Sequence, residues 1–343
     1  MRKLLNTLYV TSPDARLSRD GENVVVMISG EEKFRAPVHN LEGVVCFNYV
    51  GASPAVLGLC CERHVAICFL SQSGRFLGRV TGAATGNVLL RRKQYRVADR
   101  VGEACTLASA FVGGKIVNSR SVLLRFIRDH RDKSGVTQVS DAASRLLSYG
   151  ERLHEQADVD AVRGLEGDAA RVYYSVFDHL ITADDDAFRF RGRSRRPPLD
   201  PVNALLSFFY TILSHECASA LETVGLDPQV GVLHRDRPGR LSLALDLMEE
   251  LRPYLVDRFV LTLVNNGQVS RGGFVTKESG AVIMEEAVMK TVIAEWQKRK
   301  QEEITHPFLE EKMNVGLIPY AQALLLARHL RGDLDGYPPF LIR

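Results

Sequence analysis

Residues 231–253, GVLHRDRPGRLSLALDLMEELRP, contain the segment that decides both the fold and the chemistry expected of this chain. Leucines point in almost every direction around the helix predicted over residues 241–252, and a helix that is apolar nearly all round is usually buried. Ser242, Asp246 and Glu249 interrupt it at positions i, i+4 and i+7, so they form one narrow polar stripe. The stripe predicts that a buried helix presents acidic groups to a site.

A third carboxylate and a histidine are expected at the same place. Glu166 lies inside the apolar stripe of a second predicted helix, DVDAVRGLEGDAARVYYSVFDHLI, and His234 lies one loop before the first helix, which Pro253 is expected to end. Two ionised carboxylates about 5 Å apart repel by roughly 3 kcal/mol at an effective dielectric constant of about 20. A cation is therefore required, and an arginine, a shared proton or a metal ion would each serve.

The residue types favour particular metals if a metal is the answer. One imidazole with carboxylates and no thiolate suits Mg²⁺ or Mn²⁺ better than structural zinc. The competing interpretation is structural, because a buried glutamate is more often paired with a core arginine and a loop histidine more often lies at the surface. Spacing alone leaves both interpretations open.

The chain as a whole is predicted to be an α+β protein of two domains. With 343 residues, 45% of them hydrophobic, it exceeds the size at which a single core usually stops growing. Residues 1–85 contain short β-branched runs separated by turn residues, as in NVVVMI and HVAICFL, and predict a β-rich domain suited to dimerisation. Residues 86–343 carry longer periodic segments and predict a larger all-helical domain with the metal site.

Composition favours a cytoplasmic protein that does not act in a membrane. The N-terminal apolar run is too short for a signal peptide, and no uncharged apolar stretch reaches the roughly 18 residues of a membrane span. The six cysteines lie mostly among apolar residues and are predicted to be reduced. A mixed-charge run at residues 295–313, EWQKRKQEEITHPFLEEKM, is interpreted as either a mobile tail or a docking segment.

Basic residues are clustered although the formal net charge is only +3. Clusters of this kind are usually solvated surface, but they also suit contacts with phosphate. The candidates for DNA contact are Arg91, Arg92 and Arg96 in one cluster and Arg193, Arg195 and Arg196 in the other.

An ordered run of motifs resembles a known family over essentially the whole chain. The motifs are GLEGDAARVYY, RRPPLDPVNALLSFFYTIL and ALETVGLDPQVGVLHRDRPGRLSLALDLMEELRP. They resemble the CRISPR-associated adaptation endonucleases and integrases of the Cas1 family. The closing DGYPPFLIR and the overall length resemble the subtype I-C branch.

The resemblance implies a site and a reaction. It implies that Glu166, His234 and Glu249 bind a divalent metal, Mg²⁺ or Mn²⁺, and that Asp246 binds or orients the ion. It implies a homodimer that joins the small partner Cas2 and inserts short DNA duplexes into a CRISPR array, each 3′-hydroxyl attacking a phosphodiester of the repeat. Metal-dependent DNA cleavage is also implied.

Two other functions remain as alternatives. A general metal-dependent nuclease acting on branched DNA repair intermediates would use the same site without a partner or a repeat sequence. A non-catalytic DNA-binding scaffold would instead pair Glu166, Asp246 and Glu249 with core arginines. Metal dependence separates the scaffold from the two enzymes, and dependence on the repeat separates the two enzymes.

Overall fold

The computed structural model describes residues 6–48, 50–71, 74–83 and 88–342, and its N-terminal part is built from β-strands. Eight strands and one helix form this part. They are β1 (Asn6–Val10), β2 (Ala15–Asp20), β3 (Asn23–Ile28), β4 (Glu31–Pro37), β5 (Leu41–Cys46), β6 (Gly51–Ala52), β7 (Ala66–Leu70) and β8 (Phe76–Val80), with helix α1 (Pro54–Glu62) between β6 and β7.

The strands form two four-stranded sheets. One has the order β1-β5-β7-β8, in which β5 is parallel to both neighbours and β8 is antiparallel to β7. The other has the order β4-β3-β2-β6, with antiparallel pairing except between β2 and β6. Helix α1 begins where the Ser53 hydroxyl accepts from the backbone N–H of Val56, and it packs on β2 and β7. Buried valines, leucines and cysteines between these elements make a separate small core.

The remaining described residues are mainly helical. The helices are α2 (Val88–Asp99), α3 (Val101–Asp129), α4 (Val136–Arg152), α5 (Val159–Ser175), α6 (Pro201–Thr223), α7 (Ser242–Leu251), α8 (Arg258–Asn265), α9 (Glu286–Gln301) and α10 (Ile318–Arg331). Two short hairpins accompany them, β9 (Phe274–Thr276) with β10 (Val282–Met284) and β11 (Glu303–Thr305) with β12 (Lys312–Asn314). The 29-residue α3 runs through the centre and packs on α4, α5 and α7.

The structure confirms the predicted α+β class, with a strand-rich region followed by a helical one. The predicted domain boundary between residues 85 and 86 lies outside the described residues. All six cysteines are free thiols, as expected. Helix α6 has the length and composition of a membrane span, but 67% of its most apolar stretch is buried inside the protein, so packing accounts for its apolar character.

Pro253 does not end the helical path, contrary to the expectation from the sequence. After Leu251 the backbone continues as a π-helical segment, Arg252–Asp257, and then as α8. Proline lacks a backbone N–H and disrupts the regular bonding of an α-helix, whereas the wider π turn absorbs that disruption. The acidic helix therefore continues directly into a second buried helix.

The run at residues 295–313 is part of the folded body, which excludes the mobile tail. Trp296 in α9 is 1% exposed and packs against the rings of Phe209 and Phe259. His306 is fully buried, and its Nε2 lies 3.0 Å from Gln322 Oε1. The same Gln322 donates to Glu250 Oε1 at 2.7 Å.

Hydrogen bonds connect the C-terminal segment to helices α3 and α7. Tyr337 donates its hydroxyl to Glu250 Oε1 at 2.7 Å. Asn118 on α3 donates to the carbonyl oxygens of Glu250 and Phe340, both at 2.7 Å, and accepts from the backbone N–H of Ile342 at 2.9 Å. These bonds join α3, α7 and the last described residues into one unit.

Polar contacts join the strand-rich region to α6. The guanidinium of Arg79 on β8 bonds Glu222, with Nη2 at 2.7 Å from Oε2, and also donates to Ser219 at 2.8 Å. The ring of Phe76 on β8 stacks on His215 with centroids 4.7 Å apart. Burial, with a smaller contribution from Arg79, lowers the pKa of His215 to about 4.

The buried imidazole predicts a loss of stability in mild acid. In the unfolded chain His215 regains a pKa of about 6.5, so the neutral ring stabilises the fold above that pH, and the stabilisation is lost as the pH falls towards 4. The contribution of His215 that is lost between pH 7 and pH 5 is roughly 2 kcal/mol. Other buried groups also titrate in this range and are common to both proteins, so urea unfolding at the two pH values should give a change that is less favourable by about that amount in the wild type than in His215→Phe, which keeps a ring on Phe76. An equal pH dependence in both proteins would contradict the assignment.

Candidate metal and DNA site

The three predicted metal ligands lie on different elements that pack around α3. Glu249 is on α7, Glu166 is on α5, and His234 is in the loop before α7. Helix α3 packs on both α5 and α7 and contributes Lys115 to the same point. The structure therefore brings Glu249 close to His234 directly and close to Glu166 through a lysine.

Asp246 holds the loop that carries His234. Its carboxylate is fully buried and accepts the backbone N–H groups of Val232, Leu233 and His234 at 2.7, 3.0 and 2.9 Å. It also lies 2.6 Å from Nδ1 of the His234 ring. Because a carboxylate only accepts, Nδ1 donates in this contact, and Nε2 is the ring nitrogen that faces Glu249. These contacts fix the orientation of the His234 ring, whereas the predicted roles of Asp246, binding or orienting the ion, stay predictions.

A glycine permits this close approach of loop and helix. A Cβ atom on Gly231 would lie 2.6 Å from Asp246 Oδ2 and 2.8 Å from the carbonyl carbon of Ser242. Neither atom can yield without moving α7 or losing the loop contacts. Gly231 is therefore required by the distance between the loop and the start of α7.

Two cations, one buried and one largely buried, neutralise Glu249. Lys115 Nζ is 2.7 Å from Glu249 Oε2 and also contacts Glu166 Oε1, and Arg252 Nη1 is 3.1 Å from Glu249 Oε1. His234 Nε2 lies 3.8 Å from the same Oε1. The contact predicted for the scaffold interpretation, a buried glutamate with a cationic side chain, is thus present, with a lysine as well as an arginine.

These neighbours fix the charge of the groups. Burial would raise the pKa of Glu249, but Arg252, Lys115 and His234 outweigh it and lower that pKa to about 2. Burial would lower the pKa of Lys115, but Glu249 and Glu166 outweigh it and raise that pKa. At neutral pH the carboxylate and the ammonium are both ionised.

The donor set fits a divalent cation of the kind predicted. Glu249 Oε2 is buried and accepts no well-aligned hydrogen bond from the described residues, although the Lys115 ammonium lies close to it. Two carboxylates and an imidazole nitrogen are oxygen and nitrogen ligands suited to Mg²⁺ or Mn²⁺. Within the described ranges, no three His, Cys, Asp or Glu side chains are arranged to hold a metal ion as they stand. The ammonium of Lys115 lies between the two glutamates.

A second polar group borders this site. Arg193 donates to Asn203 Oδ1 at 2.6 Å and to Ser207 Oγ at 3.1 Å, and its guanidinium lies 5.4 Å from the centre of the Tyr210 ring. Arg252 lies 4.9 Å from the same ring. The polar residues of α6 therefore fix one arginine predicted to contact DNA and connect it, through Tyr210, to the arginine beside Glu249.

The other predicted DNA-contact residues lie at the surface. Arg92 and Arg96 on α2 are exposed and Arg91 is half-buried, while Arg195 and Arg196 are exposed before α6. Helix α2 is fixed near the site because Gln94 donates to the carbonyl oxygens of Asp227 and Val230, both at 2.8 Å. Those carbonyls precede the His234 loop, so the first arginine cluster has a fixed position relative to it.

Sequence reasoning missed Lys115 and Arg252. Arg252 follows the acidic stripe by three residues, so its ion pair with Glu249 was readable as an i, i+3 neighbour. The sequence also carries a signal for Lys115, which is a lone cation in the apolar segment FVGGKIV of α3. A charge in such a segment requires a partner, but its partners lie on α5 and α7 and no local pattern identifies them.

The geometry defines an acidic site between helices, with Lys115 and Arg252 on its carboxylates and Arg193 nearby. Comparison with known proteins places the chain in a family. Residues 8–298 match the model of the family described as CRISPR associated protein Cas1. The chain is 53% identical over 343 residues, covering 100% of both chains, to CRISPR-associated endonuclease Cas1 1 of Chlorobaculum tepidum. It is 50% identical over 344 residues, covering 99% of both, to CRISPR-associated endonuclease Cas1 2 of Rhodospirillum rubrum. The chain belongs to the Cas1 family.

Solved structures share the fold. A Cas1 protein from Thermotoga maritima superposes with a TM-score of 0.82 at 24% identity, covering 96% of this chain and 97% of that one. A casposase bound to an integration product superposes with a TM-score of 0.84 at 19% identity, covering 97% and 93%. At these identities the likeness extends to the fold.

The loop contacts of Asp246 predict the effect of an isosteric replacement. Asp246→Asn puts an amide NH₂ against backbone N–H donors, and a buried donor left without an acceptor costs about 1–3 kcal/mol. We expect the free energy of unfolding to fall by about that amount in urea titrations. Asp168→Asn is the control, because 45% of that side chain is exposed, and its change should stay within about 0.5 kcal/mol. Equal stability of both variants would contradict the role of Asp246.

Proposed function

We propose that this chain is a divalent-metal-dependent DNA endonuclease and integrase of CRISPR adaptation. It would join the 3′-hydroxyl ends of a short DNA duplex to phosphodiesters of a CRISPR repeat by transesterification. The observation that carries the proposal is that Glu166 and Glu249 share one cation, the Lys115 ammonium, while His234 Nε2 lies 3.8 Å from the other oxygen of Glu249. Carboxylates with an imidazole beside a cation-binding position are suited to phosphoryl transfer with a metal.

The residues around that point have separable tasks. Asp246 orients the His234 ring so that Nε2 faces Glu249. Arg252 keeps Glu249 ionised and is held over the Tyr210 ring. Glu166, Glu249 and His234 would hold Mg²⁺ or Mn²⁺, which supplies neutralisation of phosphate charge and activation of the attacking hydroxyl. Arg193, fixed by Asn203 and Ser207, is suited to bind a phosphate beside them.

The relatives support the proposal by their names. The matched proteins of Chlorobaculum tepidum and Rhodospirillum rubrum are both CRISPR-associated endonucleases, and they match over 99–100% of their length. One superposed structure is a Cas6-RT-Cas1–Cas2 complex, with a TM-score of 0.84 at 22% identity, covering 100% of this chain and 36% of that one. We therefore propose DNA, Cas2 and a second copy of this chain as partners.

Three finer assignments belong to the same proposal. The β-rich region is proposed to form the homodimer, since edge strands can pair across a two-fold axis. The length and the closing DGYPPFLIR support the subtype I-C branch. The cytoplasm is the proposed location, because a CRISPR array is chromosomal DNA.

A non-catalytic DNA-binding scaffold is the second candidate. The observation in its favour is that Glu166 and Glu249 already have cationic partners, Lys115 and Arg252. That interpretation requires no metal. The scaffold interpretation gives no functional role to His234, although the buried Asp246 carboxylate orients its ring.

Strand joining tests the function. A labelled duplex with free 3′-hydroxyls is incubated with a supercoiled plasmid carrying a CRISPR repeat and with Cas2, in Mn²⁺ or chelator. We expect Glu166→Gln to lose joining by more than about 100-fold, because loss of even an outer-shell partner costs 10–100-fold. Its unfolding free energy should fall by only about 1–2 kcal/mol, since Lys115 keeps Glu249 as a partner.

The control for that experiment is Asp168→Asn on the same helix, which should join DNA like the wild type. Nicking without joining, irrespective of the repeat, would favour the repair nuclease. Joining or cleavage that is absent in every metal condition would favour the scaffold.

Salt dependence tests the surface arginines. Replacing Arg92 and Arg96 by glutamine should weaken binding of duplex DNA and reduce the slope of log K against log salt by about one to two. Fluorescence anisotropy at several salt concentrations measures both. Arg125 and Arg128, exposed on α3 and each paired with Asp129, are the matched control pair. An unchanged slope in the first variant would remove α2 from the DNA surface.

A further inference from the structure

Lys115 occupies the position between the two predicted glutamate ligands. Its ammonium contacts Glu166 Oε1 and lies 2.7 Å from Glu249 Oε2, and its side chain is 10% exposed. A lysine ammonium is a compact charge with three donors on a flexible stem. In this position it neutralises two carboxylates that would otherwise repel each other across the site.

The backbone around Lys115 is placed by close packing of α3 on α7. A Cβ on Gly114 would lie 2.8 Å from Glu250 Cβ and 3.0 Å from Pro339 Cβ, so only glycine allows this approach. The next residue is Lys115, and its side chain therefore starts beside α7. The position of Lys115 is therefore set by the packing of three distant segments, namely α3, α7 and the segment at Pro339. It is not a surface side chain that folds inwards.

The two cations of the site differ in how firmly they are held. Arg252 lies over the Tyr210 ring as well as on Glu249, so it has a second support. Lys115 has the two carboxylates as its ionic partners among the described residues. A divalent ion bound by Glu166 and Glu249 would draw on the two carboxylates that Lys115 contacts and would repel its charge. Lys115 and such an ion would therefore compete for these carboxylates.

We propose that Lys115 is a resident counter-ion that exchanges with the divalent metal. This inference rests on the proposed function. Without metal, the ammonium neutralises the two glutamates and holds the helices α3, α5 and α7 together. When metal binds, the ammonium leaves the two glutamates, and the cost of displacing it lowers the apparent affinity for metal. The site thus alternates between a lysine-occupied and a metal-occupied state.

Mn²⁺ binding to the full chain without DNA tests the exchange. Lys115→Met keeps the length of the side chain and removes the charge. We expect it to bind Mn²⁺ at least tenfold more tightly than the wild type in calorimetric titrations. Without metal it should melt at a lower temperature than the wild type, and Mn²⁺ should raise its melting temperature by more.

Lys300→Met is the matched control. Lys300 is also buried and pairs with a glutamate, Glu216, at 2.8 Å, but it lies at the contact between α9, α6 and β1. Its loss should lower the melting temperature without changing the affinity for Mn²⁺. A tighter affinity in both variants would show a general effect of lost positive charge and would overturn the exchange.

A measurement on the wild type covers the case in which Lys115→Met does not fold. Lys115 should be poorly labelled by an amine-reactive reagent without metal and labelled several-fold faster in saturating Mn²⁺, while labelling of Lys300 stays constant. Mass spectrometry of the digested protein gives both rates. Constant labelling of Lys115 under conditions where Mn²⁺ is bound would overturn the exchange.

The outcomes separate this inference from the function on which it rests. Saturable Mn²⁺ binding that is equal or weaker in Lys115→Met overturns the role of Lys115 and leaves the metal site standing. Mn²⁺ binding that is absent from both proteins overturns the metal site and the exchange together. Binding that is seen only in Lys115→Met supports the exchange in its strongest form.

Discussion

Carboxylates buried on α7 constrain every element that packs around that helix. Asp246, Glu249 and Glu250 are at most 2% exposed, and a buried charge without a partner is among the most costly features of a protein interior. Each of the three carboxyl groups has a different kind of partner. Asp246 accepts backbone N–H groups, Glu249 pairs with Lys115 and Arg252, and Glu250 receives hydrogen bonds from an amide and a hydroxyl. These contacts fix the position of the loop that carries His234, of the long helix α3 and of the C-terminal segment that carries Tyr337.

Two of these environments also shift the pKa values of adjacent carboxyl groups in opposite directions. Cations lower the pKa of Glu249 to about 2, whereas burial raises the pKa of its neighbour Glu250 to about 8, only partly offset by hydrogen bonds from Tyr337 and Gln322. Adjacent residues of one type thus have distinct tasks. The ionised group faces the site and can bind a cation, and the group that faces the C-terminal segment serves the fold. The difference follows from which partners surround each face of α7.

Local patterns predicted the elements but not the contacts between distant ones. The stripe of Asp246 and Glu249, the buried helix and the strand-rich beginning were all readable, because each depends on residues within one or two helical turns or on alternation in a strand. The continuation through Pro253 was not readable, since it depends on the packing that supports a π turn. Lys115 was not assigned to the site because its partners are 51 residues away on α5 and further still on α7. The helical pattern singled out the acidic residues and His234, and the resemblance implied that they bind metal. The cation between Glu166 and Glu249 could be identified only from the three-dimensional structure.

Asn118 joins two parts of the chain that are made at very different times. It is fixed by bonds to Phe340 and Ile342, more than 220 residues later, and to the backbone at Glu250. Chains emerge from the ribosome at roughly 5–20 residues per second, so α3 and α7 wait many seconds for these partners. A nascent chain can complete its strand-rich region early. The hydrogen bonds that connect α3 and α7 to residues 340–342 form only after residue 342 has left the ribosome. A site assembled in this order would remain incomplete until that stretch of the chain has left the ribosome.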